Sequence, residues 1–183
     1  MNWPIRLARE GDAPVLEELI RLSTRTLQAP YYSAEQIEAA LGPIFAVDRQ
    51  LIRDGTYFVV EREGTIVGCG GWSKRKAFYG GDSRAEVEEP ALDPSVDAAR
   101  IRAFFVHPSW ARQGIGRAIL GACEQAIQAA GFLQADLSAT LAGEPLYTVS
   151  GYAVKERYEI PMANGLTLPV VLMSKTFQKA RQP

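Results

Sequence analysis

Two glycines, Gly114 and Gly116, sit between Arg112 and Arg117, where an extended segment gives way to a helix. Ahead of them, residues 102–106 mix β-branched and aromatic side chains, and Pro108 removes a backbone donor and ends any ladder. Behind them, Ile115, Ala118, Ile119, Ala122, Cys123, Ala126 and Ile127 recur at helical spacing. The glycines therefore fall at a helix N-terminus, where unpaired N–H groups and the positive end of the helix dipole favour an anion. Glycine lets a ligand approach the backbone closely, and the two guanidinium groups add permanent positive charge. The chemistry on offer is phosphate binding.

Three phosphate-binding designs compete for these residues. A Walker loop needs Lys-Ser or Lys-Thr after its last glycine, and none follows. A dinucleotide fingerprint has its first two glycines, and Asp136 lies at about the expected distance of 20 residues. Ile119, however, stands where the third glycine belongs, and residues 107–113 separate the strand from the turn. The third design fits the whole stretch. A strand, Val106-His107-Pro108, a short loop and x-x-Gly-x-Gly opening a long helix resemble the acyl-CoA-binding motif of the GCN5-related N-acetyltransferases (GNAT). The alternative is a structural glycine turn joining a strand to a core helix.

The resemblance implies acetyl-CoA as co-substrate and a primary amine as acceptor: a small molecule, a peptide terminus or a lysine. It implies that the amides of Arg112, Gln113, Gly114, Ile115, Gly116 and Arg117 cradle the pyrophosphate. Phe105 and Val106 would line the pantetheine arm, with the Val106 N–H facing the acetyl carbonyl. One departure is Ala111, where the family usually carries Arg or Gln; Arg112 follows one position later. Further on, Leu146-Tyr147-Thr148-Val149-Ser150-Gly151-Tyr152 resembles the family's Phe-Tyr-x-x-x-Gly-Phe pattern. By that likeness Tyr147 is the acid that protonates the departing thiolate, and a phenol of pKa about 10 keeps its proton at neutral pH. The base stays open between His107, the only histidine, and a water chain toward Glu86, Glu88 or solvent. Many relatives carry a carboxylate near the start of the motif strand, where this chain has Arg100. That leaves a non-catalytic acyl-CoA-binding module as the second reading.

The elements that must position these groups can be taken in order. Residues 5–8 suit a short strand, and Asp12 with Pro14 suits the head of an amphipathic helix through Leu27. Tyr31 and Tyr32 interrupt, and Ser33 with Gln36 forms a capping box for a second helix, which Gly42-Pro43 ends. In relatives the loop between these helices borders the acceptor pocket. Tyr31 and Tyr32 are thus candidate substrate contacts, the alternative being amphipathic tyrosines over the core. Residues 47–54 suit a short helix stopped by Gly55. Residues 56–62 and 65–72 read as a hairpin turning at Glu63-Gly64, with Gly68, Gly70 and Gly71 signalling a bulge or a close neighbour. Trp72, at the strand end, is either a third substrate contact or core. Residues 73–99 lack pattern and carry Glu86, Glu88 and Glu89, either a lure for a cationic amine or a solvated run. After the long helix, which Gly131 stops, come a strand over residues 133–139, a short helix near Tyr147 and a final strand pair meeting at Asn164-Gly165.

This order predicts an α/β (α+β) fold: a mixed, mostly antiparallel sheet of about seven strands flanked by about four helices. The resemblance adds a splay at the cofactor site, between residues 102–106 and 133–139. The 183 residues suit a single acyltransferase domain spanning 1–183. Net charge is −1, which offers no footprint for nucleic acid. Cys69 and Cys123 are too few and too separate for a disulfide framework or a metal cluster, and no apolar run is long enough to span a membrane. A cytoplasmic enzyme without a metal is expected, and relatives make a homodimer a candidate assembly.

Overall fold

A computed structural model of the chain describes residues 3–80 and 90–178. Its elements run β1 (Ile5–Leu7), α1 (Ala13–Leu27), α2 (Ala34–Ala40), α3 (Arg49–Asp54), β2 (Tyr57–Arg62), β3 (Thr65–Ser73) and β4 (Ala99–Val106). Then follow α4 (Ile115–Ala129), β5 (Gln134–Thr140), α5 (Glu144–Val149), β6 (Ala153–Pro161) and β7 (Thr167–Thr176). The seven strands form one sheet in the order β1-β2-β3-β4-β5-β7-β6. Every neighbouring pair is antiparallel except β4 and β5. Among the described residues the expectation of about seven strands holds, with five α-helices where about four were expected.

Strand alternation divides the apolar side chains between two layers. Val60, Val67, Ile101, Leu137 and Met173 face α4, which contributes Ile115, Ile119, Leu120, Cys123 and Ile127. Val59, Cys69, Phe105, Leu168 and Val170 face α1, α2 and α3, which contribute Leu16, Leu19, Ile20, Ile37 and Leu51. Both cysteines are buried and unpaired.

Local signals explain most boundaries. Ser33 Oγ accepts from the Gln36 N–H at 3.1 Å, and Gln36 Oε1 accepts from the Ser33 N–H at 2.9 Å, completing the capping box. Glu63 and Gly64 both take positive φ, the hairpin turn that matches strand twist. Asp12 does not cap α1. Its own φ and ψ are helical, and its carboxylate is engaged by Arg6 at 2.8 Å and by the Arg9 N–H at 2.7 Å.

The feature that opens the sheet is a bulge in β4. Cys69 pairs with Phe105 but Gly71 pairs with Arg102, so β4 carries one residue more than β3 across this interval. The surplus residue is Ala103, at a left-handed φ of 63°. The Tyr57 hydroxyl donates to its carbonyl at 3.2 Å. A bulge bends its strand and breaks the ladder. On its other side β4 pairs with β5 only from Ala99↔Ala135 to Ile101↔Leu137, and from there the two strands part. The β3 glycines make room for what β4 and α4 set against them. A Cβ on Gly70 would lie 2.6 Å from the Phe104 ring, and one on Gly68 would lie 2.5 Å from Ile115 Cγ2.

Candidate active site

The loop between β4 and α4 is built to expose amides. His107 and a single 3-10 turn, Pro108–Trp110, end the strand, and Arg112 follows at φ 64°. Gly114 then caps α4 at φ 89°, a left-handed conformation that glycine adopts without strain. Among the described residues, no hydrogen bond within the protein is donated by the amides of residues 112–117. They converge at the positive end of a 15-residue helix. Arg112 and Arg117 are exposed and, among the described residues, in no ion pair. The loop is clamped from behind: the Trp3 indole donates to the Gln113 carbonyl at 3.2 Å, and its ring meets Trp110 edge-on at 6.1 Å. With that carbonyl held on Trp3, the amide side of the turn is left to face a ligand.

A cavity of about 540 Å³ runs from this loop through the parting of β4 and β5 to the opposite face of the sheet. Phe104 stands on the α4 face against Tyr147, with ring centroids 6.1 Å apart. Phe105 stands on the other face against Phe45, at 6.0 Å. The His107 N–H donates to Val67 at 2.9 Å, so antiparallel alternation turns the Val106 N–H away from β3, toward the open side of β4. Tyr147, on α5, is 7% exposed, and its hydroxyl has no hydrogen-bond partner among the described residues. Burial holds this phenol well above its ordinary pKa of 10.0, so it keeps its proton through the physiological range. Gly116 lets α5 close down: a Cβ there would come within 3.1 Å of Leu146 Cδ2.

Of the residues singled out from the sequence, Phe105, Val106, Arg112, Gly114, Ile115, Gly116, Arg117 and Tyr147 line this one cavity. Others stand apart from it. The Gln113 side chain turns outward to the Ser109 carbonyl at 3.3 Å. His107 uses Nδ1 to accept the Ser109 N–H at 3.2 Å, which fixes the ring on its own turn. Tyr32 is buried, its hydroxyl donating to the Pro169 carbonyl at 2.6 Å and accepting from the Leu141 N–H at 3.0 Å. It ties the loop after α1 to β7, a core role. Tyr31 is half exposed at 49%. Trp72 lies in the core against Phe132 at 6.1 Å. Glu86, Glu88 and Glu89 fall outside the described residues.

Sequence reading missed Arg102, which lines the cavity from β4. Its Nε lies 2.7 Å from Asp48 Oδ2 in a pair 2% exposed on both sides, and its Nη1 donates to the Ala77 carbonyl at 2.8 Å. It also missed Trp3 and Ala103. Asp48 also caps α3, accepting from the Leu51 N–H at 3.1 Å. Among the described residues there is no group of His, Cys, Asp and Glu that could hold a metal, and no helix long and apolar enough to cross a membrane.

A splayed, mostly antiparallel sheet with an amide-lined helix head at its opening is a GNAT-like architecture. The profile of the acetyltransferase (GNAT) domain matches residues 53–154, more than half of the chain, and the protein belongs to that family. Among solved structures, it is similar to a GCN5-related N-acetyltransferase from Rhodopseudomonas palustris, with a TM-score of 0.73, 23% identity and 97% of each chain covered. It is also similar to PaiA N-acetyltransferase from Thermoplasma acidophilum in complex with coenzyme A, with a TM-score of 0.66, 17% identity and 97% and 100% of the two chains covered. A ribosomal-protein-alanine N-acetyltransferase from Brucella melitensis gives a TM-score of 0.62 at 19% identity over 95% and 99%. At these identities the likeness is one of fold. No curated protein matches the chain.

Proposed function

We propose that this chain is, over its whole length, an N-acetyltransferase that moves the acetyl group of acetyl-CoA directly to a primary amine. The observation that carries the reading is one continuous cavity that joins an unpaired amide cradle, a strand edge with a free N–H and the Tyr147 hydroxyl. The residues present fit the co-substrate. Amides of residues 112–117, with Arg112 and Arg117, suit a diphosphate, and the parting beside Phe105 and Val106 suits an extended pantetheine arm. The co-substrate supplies the activated thioester.

The protein's own tasks are then three. The strand edge and the cavity walls hold the amine against the thioester, which replaces a bimolecular encounter with an oriented one. The Val106 N–H donates to the carbonyl oxygen as negative charge develops on it. Tyr147 gives its proton to the sulfur as the N–C bond forms and the C–S bond breaks; the proton shed by the amine passes to solvent water, which restores the phenol, and burial keeps the phenol protonated beforehand. Calorimetry with acetyl-CoA, followed by thiol release with a panel of amines, tests the reading; absence of heat removes it. A second reading, binding without transfer, is favoured by Arg100. Its guanidinium, at the position where many relatives carry a carboxylate, pairs with Asp136 at 3.2 Å. Heat with acetyl-CoA but no thiol release with any amine would select it.

A further inference from the structure

The cavity's two ends differ in chemistry. The end at the helix head carries Arg112, Arg117 and bare amides, whereas the end on the α1–α3 face is walled by Ile44, Phe45, Phe105, Ile160, Leu168 and Val170. Phe45 and Phe105 meet edge to face there and present a continuous aromatic wall. Among the described residues, the charge that reaches this end is already matched, because Arg102 is paired with Asp48 and bonded to the Ala77 carbonyl. Among the described residues, Ser138 and Tyr158 bond each other at 2.8 Å and Gln28 Nε2 donates to Thr140 Oγ1 at 3.2 Å, while Gln28 Oε1, buried without a partner, is a neutral acceptor and not a counter-charge.

Such a room discriminates by desolvation. A guest's second charge would leave water for apolar walls, a heavy cost without a partner, whereas an apolar body gains from the same transfer. The reacting amine is helped as well. An alkylammonium of pKa about 10.4 is shifted down in apolar surroundings toward the neutral form that attacks a thioester. We propose that the acceptor is a primary amine on an uncharged apolar body, alkyl or aryl-alkyl, in preference to a polyamine or a lysine-bearing peptide. This rests on the acetyl-transfer reading above.

The test measures kcat/KM for thiol release from acetyl-CoA by the full chain with hexylamine, 2-phenylethylamine, spermidine and a short lysine-containing peptide. The first two are expected to exceed the last two by roughly 10²-fold, the scale on which a site rejects a guest whose polar group it cannot satisfy. Equal or better turnover of spermidine or the peptide overturns the proposal. So does heat with acetyl-CoA but no release by either apolar amine, which leaves cofactor binding standing. No heat with acetyl-CoA removes the parent reading as well. Ile44→Glu, a carboxylate set into the apolar wall, is expected to move preference toward spermidine while the heat with acetyl-CoA persists. Ile44→Gln, similar in shape and uncharged, is expected not to. An unchanged ranking in Ile44→Glu also overturns the proposal.

Discussion

Tyr147→Phe isolates one oxygen. The ring's edge contacts with Phe104 at 6.1 Å and Tyr152 at 5.9 Å need no hydroxyl, so phenylalanine keeps them. The hydroxyl has no hydrogen-bond partner among the described residues, so its removal orphans no buried group and the melting temperature should stay within a degree or two. The cradle amides and the β4 edge are untouched, and the dissociation constant for acetyl-CoA should stay within about twofold. What disappears is the proton donor proposed for the departing sulfur. A positioned acid contributes about 10²- to 10⁴-fold, so kcat should fall by ~10²-fold or more, about 2.7 kcal/mol of barrier at 1.36 kcal/mol per tenfold. Stopped-flow or thiol-trapping assays at saturating acetyl-CoA read this directly. Turnover equal to that of the unaltered protein, with cofactor binding intact, would strip Tyr147 of the assigned role.

Gly114→Asp should abolish the heat of acetyl-CoA binding, since it sets a carboxylate against the cradle; a retained heat would place the phosphates elsewhere. The fold should survive it, because a Cβ there meets nothing nearer than Trp3 Nε1 at 3.8 Å, and only about 1–2 kcal/mol is lost to the left-handed φ. Trp3→Phe removes the indole bond to the Gln113 carbonyl, worth about 0.5–1.5 kcal/mol, so acetyl-CoA should bind about 2- to 13-fold more weakly while kcat at saturation holds. A change in kcat with unchanged affinity would contradict the clamp. Burial lifts the Cys69 thiol from 9.0 to about 12, and burial also raises Tyr57, Cys123, Tyr147 and Tyr152. All are neutral acids in the fold with raised pKa values, so their stabilisation is complete below about pH 9 and is lost as pH climbs from there. Each group costs up to about 1.4 kcal/mol per pH unit once its unfolded counterpart ionises. Thermal scans between pH 8 and 11 should show a steady fall, and a flat profile would refute it.

What was legible in the sequence was local. The Ser33/Gln36 capping box, the Glu63-Gly64 hairpin and the Gly114 helix head each depend on residues a few positions apart, and each sits where the pattern put it. The amide-lined end of the cavity was legible for the same reason. The illegible parts are contacts between distant residues. Trp3 reaches Gln113 across 110 positions, and Arg102 reaches Asp48 across 54, so neither has a periodic signature. The bulge was hidden differently: its left-handed residue is Ala103, whereas the neighbouring glycines that suggested irregularity belong to β3. Tyr32 and Trp72 illustrate a third limit. An aromatic with a polar tip suits a pocket rim and a core edge equally well, and only the partners at Pro169, Leu141 and Phe132 decide.

Ala103 also sets a rule for how this chain can tolerate length changes. With one uncounted step in β4, the strand beyond it is phased oppositely to an uninterrupted count, and that phase is why Phe104 looks to the α4 layer and Phe105 to the α1–α3 layer and not the reverse. Excising that single alanine would shorten the chain by less than one part in a hundred and leave Phe104 and Phe105 on their present faces, yet it would take out the bend and let β4 run straight along β5. Homologous chains should therefore vary freely in the loops around this strand but keep its count of residues, because an indel there edits the opening and not the outline.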